Sequence, residues 1–180
     1  MASATLIVGL GNPGPEYALT RHNVGFWALD RVSQLHRIPI SKSRHSAITG
    51  SGAIRGWRVI LAKPQTYMNL SGKAVRALLD SEGLGPENLI VLHDDMDILL
   101  GRVKLKTSGG DAGHFGLRSI IDYLGTEDFR RLRIGLGRPP QGVDGADWVL
   151  SPFLSSETEA IEAGVAEAAE RAATLACQEA

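Results

Sequence analysis

The sequence holds a single cysteine, Cys177, among 180 residues. An intramolecular disulfide and a cysteine-based metal site are thereby excluded. That usage fits a reducing compartment, and the cytoplasm is the expected location. No apolar run approaches the roughly 18 residues that a membrane helix needs, so no membrane partner is expected. Met1–Gly9 has no basic segment leading into a long apolar one, and no secretory signal is expected there. There is no internal repeat and no linker long enough to divide the chain. A single domain over residues 1–180 is expected. Net charge is almost absent too, at -1, but it is unevenly spread. Residues 1–138 carry 18 basic and 12 acidic side chains, whereas residues 139–180 carry 1 and 8. A basic body can steer an anionic partner.

Glycine is abundant, with 21 residues that cluster where apolar runs end, as tight turns require. Leu6–Leu10 and Asn88–Leu92 read as buried strands, and Ala53–Lys63 as two strands around Arg55-Gly56. Gly101–Lys106 alternates like a half-exposed strand, and Arg131–Leu136 reads as another. Helical spacing marks Val24–Leu35, Asn69–Leu79 and Leu117–Leu124. Ser156-x-x-Glu159 has the form of a capping box opening a last helix, Glu157–Ala176. Strands alternating with helices predict an α/β fold with helices on both faces of one sheet.

Gly9-Leu10-Gly11-Asn12-Pro13-Gly14 matches the dinucleotide fingerprint G-x-G-x-x-G after a strand. The match fails on context. Pro15 and a polar stretch precede the next helix, and no acidic residue closes a second strand at the right distance. The glycines are explained by a tight turn, but Asn12 is not, and the turn places it at the sheet edge where α/β folds build sites. His22, in Thr20-Arg21-His22-Asn23, can accept a proton from water near neutral pH. Asn23 suits a helix N-cap. The strand Leu89–Leu92 runs into His93-Asp94-Asp95-Met96-Asp97. That acidic cluster could bind a divalent cation through oxygen, or one Asp could orient an imidazole. With no Ser in a nucleophile setting, His–Asp activation of water is favoured and no metal is expected. Tyr67, Met68 and Asn69 sit in a polar, aromatic loop before a helix. Tyr67 can stack on a base or ribose, and Asn69 both donates and accepts. A glycine-rich loop, Ser108–Gly116, follows Lys104 and Lys106 and can cradle an anion. Lys106, Arg131 and Arg133 can bind phosphates.

Seven stretches in order, VGLGNPGPEY, TRHNVGF, KPQTYMNLSG, HDDMD, GGDAGHFGL, DFRRLRIGLGRP and WVLSPF, resemble the bacterial-type peptidyl-tRNA hydrolase family from about Leu6 to Phe153. The resemblance implies a twisted, mostly parallel mixed sheet. It implies a metal-free, monomeric enzyme that cleaves the ester joining a peptide to the 3′ end of tRNA. It assigns His22 as general base, Asp94 as the carboxylate keeping His22 basic, and Asn12 as the residue separating peptidyl from aminoacyl tRNA. Tyr17, Tyr67 and Asn69 match substrate-contacting positions, while Met68 lines the cleft and His114 lies beside it. Lys106 and Arg133 match residues near the 5′-phosphate of the tRNA. No cofactor is implied.

The sequence departs from the family in two places. Gly113-His114-Phe115-Gly116 stands where the family has G-H-N-G. Phe115 therefore replaces an asparagine that binds substrate, a loss on the order of 0.5–3 kcal/mol. Family members usually continue into a final helical segment near an Asn-Arg-x-His pattern, whereas this sequence stops at Ala180. These departures keep an alternative open: a divergent paralogue that binds RNA or a protein with little hydrolysis. A metal hydrolase built on HDDMD is a third reading.

Overall fold

The short apolar runs become strands of one seven-stranded sheet in the computed structural model, which describes residues 3–178. Met1, Ala2, Glu179 and Ala180, at the limits of the expected 1–180 domain, lie outside the described residues. The strands are β1 (Thr5–Gly9), β2 (Lys42–Arg44), β3 (Ala47–Ile54), β4 (Trp57–Pro64), β5 (Leu89–Asp95), β6 (Val103–Lys106) and β7 (Arg130–Gly135). Their order is β2-β3-β4-β1-β5-β7-β6. The central pairs β4/β1, β1/β5 and β5/β7 are parallel, and the flanking pairs β2/β3, β3/β4 and β6/β7 are antiparallel. The expected mixed α/β sheet is what forms.

Alternation along the strands divides the core into two layers. Ile7, Ile90, Leu92, Leu132 and Ile134 face α1 (Val24–His36) and α5 (Thr158–Ala176). Leu6, Val8, Leu89 and Val91 face α2 (Ser71–Glu82) and α3 (Phe115–Leu124). Both faces of the central strands are thus covered, which is why they read as continuous apolar runs. The glycines after β1 permit close packing rather than nucleotide binding. A Cβ on Gly9 would lie 2.3 Å from the Gly25 carbonyl oxygen. One on Gly25 would lie 2.4 Å from that of Leu92. Together they let the first turn of α1 sit on the ends of β1 and β5.

Three local expectations change. β3 begins at Ala47 rather than Ala53, and β2 was not expected. Thr49-Gly50-Ser51-Gly52 carries no apolar alternation. Its glycines admit a crossing segment, since a Cβ on Gly50 would meet the Pro39 carbonyl oxygen at 2.0 Å. A short helix, α4 (Gly145–Val149), lies in a stretch with too few residues to display a helical period. At the last helix the capping box is displaced. Ser156 makes no capping bond, and Glu157, not Glu159, reaches back to accept the Leu154 N–H at 2.8 Å. Glu157 wins because its carboxylate is also held by Arg21.

Candidate active site

Parallel strands end together, and the loops after β1 and β5 leave one edge of the sheet side by side. Asn12 follows β1, and Asp94 is the penultimate residue of β5. Thr20–Asn23 returns to the same edge through a 3-10 turn over Arg21–Asn23. His22, Asn12 and Asp94 are all buried there.

Asp94 divides its carboxylate between two histidines. Oδ2 accepts from His22 Nδ1 at 2.8 Å, and Oδ1 accepts from His114 Nε2 at 2.9 Å. The tautomers follow from the surroundings. His114 Nδ1 faces the backbone N–H groups of Gly116 and Leu117 at 3.1 and 3.3 Å, so it must accept, and the proton sits on Nε2. His114 thereby caps α3. His22 donates through Nδ1, which leaves Nε2 as the basic nitrogen of the neutral ring. Burial works against a charged His22, but the Asp94 carboxylate, through its charge and hydrogen bond, outweighs burial and raises the pKa above its ordinary value. Burial alone would raise the Asp94 pKa. The charges and hydrogen bonds of the two imidazoles overcome it and hold the carboxyl well below the usual range.

Beneath them lies His93, whose Nδ1 donates to the Asp94 carbonyl oxygen at 2.7 Å. Burial, with the neighbouring His114, pushes its pKa down to about 3, so the ring is neutral. His93 Nε2 is buried without a partner. The His114 ring lies 5.0 Å between centroids from both His22, tilted at 51°, and His93, edge-on at 69°.

Asn23 does not cap α1. Its amide binds the Asn12 backbone instead, accepting the N–H at 2.9 Å and donating to the carbonyl at 3.0 Å. The Asn12 side chain is oriented in turn. Oδ1 accepts the Met68 N–H at 2.7 Å, which turns Nδ2, the donor end, away from that partner. Asn12 thus presents an N–H beside His22.

These groups open into a cleft with two hollows. One, of about 270 Å³, has a mostly apolar surface but also carries His93, Asp94, Asp95, Asp97, Asp111 and His114. The other, of about 330 Å³, carries Asn12, Tyr67, Met68, Asn69 and Leu150. His22, Phe115, Ala146 and Val149 line both. Tyr17 stands edge-on to Tyr67 at 6.5 Å. Nine of the expected site residues therefore meet here, counting Tyr17 through Tyr67. Lys106 and Arg133 do not line the hollows. They stand on the α3 side of β6 and β7, opposite Leu105 and Leu132, which pack towards α1 and α5. Arg131 is buried over the Phe129 ring and donates to the carbonyls of Gly110 and Glu127, a structural use of a residue expected to meet phosphate.

The HDDMD acids do not converge as a cation site. Asp95 accepts the Asp97 N–H at 2.8 Å and lies 3.8 Å from Arg133, and Asp97 pairs with Arg138. His22, Asp94 and His114 are close enough to share an ion. Both imidazole nitrogens that face Asp94 carry protons, however, and His114 cannot move its proton to Nδ1 without confronting two N–H donors.

The sequence does not point to Arg21, Asn23 or α4 as parts of the site, and it offers His93 only as a member of the acidic cluster. The fully buried Arg21 binds Glu157 through both terminal nitrogens at 3.0 and 2.8 Å. Its guanidinium lies 3.6 Å from the centre of a Trp148 ring and 4.8 Å from that of Phe153. The signal was present in the motifs TRHN and WVLSPF, but their partnership is three-dimensional.

The family model described as peptidyl-tRNA hydrolase matches residues 6–180. A peptidyl-tRNA hydrolase of Exiguobacterium sibiricum is 48% identical over 156 residues, covering 87% of this chain and 84% of the relative. One of Moorella thermoacetica is 47% identical over 175 residues, covering 97% and 92%. A crystal structure of the Acinetobacter baumannii peptidyl-tRNA hydrolase superposes with a TM-score of 0.86 at 34% identity, covering 99% of this chain and 97% of that one.

Proposed function

This chain belongs to the peptidyl-tRNA hydrolase family and hydrolyses the ester between peptide and tRNA, and from that premise we propose that His22 is the general base of the reaction. The observation that carries the assignment is the Asp94–His22 bond through Nδ1, which points the basic Nε2 at the junction of the two hollows. Nε2 takes a proton from water, and the hydroxide attacks the ester carbonyl. Asn12 Nδ2 donates to the carbonyl oxygen as negative charge develops. The imidazolium, steadied by Asp94, returns the proton to the departing ribose oxygen. His114 holds Asp94 in place. Tyr17, Tyr67, Met68, Asn69 and Phe115 contact substrate around the carbonyl, and Lys106 and Arg133 meet tRNA phosphate outside the cleft. No metal is used, in keeping with the proton positions around Asp94. The enzyme works as a monomer, since one chain supplies every group, and in the cytoplasm, where its substrate is made. A non-hydrolytic paralogue is not favoured, because His22, Asp94, Asn12 and Asn69 all stand in the cleft.

Turnover of an N-acetylated aminoacyl-tRNA tests the mechanism. His22→Ala lowers kcat by about 10²–10⁴-fold, and a chelator leaves the parent rate unchanged. The base acts when unprotonated, so kcat rises with pH through the raised pKa of His22, placing the acid limb above about 6.5. Asp94→Asn removes the charge that raises this pKa. Its limb moves to lower pH, and its plateau rate falls.

A further inference from the structure

We propose that the apolar hollow beside His22 selects the side chain of the amino acid esterified to tRNA, with Phe115 as its specificity-determining wall. The inference rests on the hydrolase reading above and adds which esters this chain prefers: those of large apolar residues over glycine and aspartate.

Large exposed apolar side chains are ordinarily scattered, and a cluster of them marks a binding surface. Here Tyr67, Phe115 and Leu150, exposed by 59%, 55% and 46%, converge on one hollow whose floor is the buried Met68. The hollow stays open because its walls are anchored elsewhere. Phe115 opens α3, whose first turn is held by His114 and through it by Asp94. Arg118 lies 5.2 Å from the centre of the Phe115 ring. Opposite, Val149 and Leu150 flank the end of α4, which Trp148 ties to the buried Arg21. A cavity built from braced walls gains from an occupant without the cost of ordering itself.

Position names the occupant. The hollow begins at Asn12 and His22, where the ester carbonyl must sit for attack. The first variable group next to that carbonyl is the side chain of the esterified amino acid. The other hollow, though also mostly apolar in surface, adds the carboxylates of Asp95, Asp97 and Asp111, acceptors that suit the hydroxyls and amine of a terminal nucleoside. The acyl side therefore lies in the hollow whose lining holds no carboxylate.

A single tRNA sequence acylated in turn with N-acetyl-phenylalanine, N-acetyl-leucine, N-acetyl-glycine and N-acetyl-aspartate provides the test. In the parent protein kcat/KM for the phenylalanyl and leucyl esters exceeds that for the glycyl ester by about 10-fold or more, a range that differences of a few methylenes support. Phe115→Asn reduces the ratio towards one, and Leu150→Gln on the facing wall shifts it the same way. Ratios within one preparation are unaffected by how much of a variant folds. A parent ratio near one overturns the proposal, as does a Phe115→Asn variant that slows all four esters equally, which would assign the ring to the shared nucleoside. Failure of the parent to cleave any of the four would overturn the hydrolase reading itself.

Discussion

Asp94 has two carboxylate oxygens and gives each to a different histidine, so one side chain sets both the basicity of His22 and the start of α3. An asparagine there has one acceptor for two N–H donors, and one histidine must lose its partner. His93 shows a different side of burial. Its folded pKa of about 3 lies below the unfolded value near 6.5, so between these pH values only the unfolded chain takes up the proton. Stability from this group therefore falls as pH falls, by roughly 1.4 kcal/mol per pH unit. His22, raised in the folded state, has its contribution fully present below about pH 6.5 and loses it as pH rises through its folded pKa. Urea unfolding between pH 6.5 and 5 should show the His93 slope in the parent, and His93→Leu should flatten it. An unchanged slope would mean that His93 is protonated in the fold. His22, Asp94, Asn12 and Asn69 were legible in the sequence because their chemical types and motifs suffice. From sequence Asn23 suits a cap and His93 belongs to an acidic cluster, because their partners are backbone atoms that only the fold brings near.

At the scale of elements, the core strands and long helices were legible from apolar runs and helical spacing. β2, the start of β3 and α4 were not, because they are held by pairing and by contacts made elsewhere. α4 is the instructive case. Five residues cannot sustain a helix alone, and α4 persists through Trp148, whose Nε1 donates to the Gly137 carbonyl at 3.0 Å while its ring covers Arg21. Arg21 also grips Glu157 at the entry to α5, so the segment carrying His22, the cleft wall and the last helix share one guanidinium. Arg21→Gln leaves the part-buried Glu157 carboxylate with only the Leu154 N–H and should cost up to about 3 kcal/mol. Arg21→Lys should recover only part of it, because an ammonium cannot reproduce the two-pronged contact. Thermal unfolding measures the loss. Steady-state kinetics below the melting range should show KM rising more than kcat falls, since Ala146, Val149 and Leu150 line the cleft without donating to the reacting atoms.

Across the whole molecule, the charge asymmetry seen along the sequence becomes an asymmetry in space. α5, with Glu159, Glu162, Glu167 and Glu170, covers one face of the sheet, while Lys104, Lys106 and Arg133 stand on the other. A polyanion approaching from the α3 side meets cations, and the acidic helix lies behind the sheet. kcat/KM on peptidyl-tRNA should fall steeply with added salt. Lys106→Ala and Arg133→Ala should each lower it at low salt and reduce the salt slope by about one phosphate contact. A slope that neither variant alters would place the tRNA on another face. The sequence reported the excess of charge but not its side, because sidedness depends on which residues of β6 and β7 point towards α5. β6 is also the last strand of the sheet, with backbone groups that no further strand among the described residues covers. Such an edge can template pairing with another copy of the same chain, and lysines along it oppose that association by like-charge repulsion. Lys104 and Lys106 thus help keep copies of the protein from joining edge to edge, so if Lys106 meets tRNA as proposed, replacing it should also raise the tendency of the protein to aggregate.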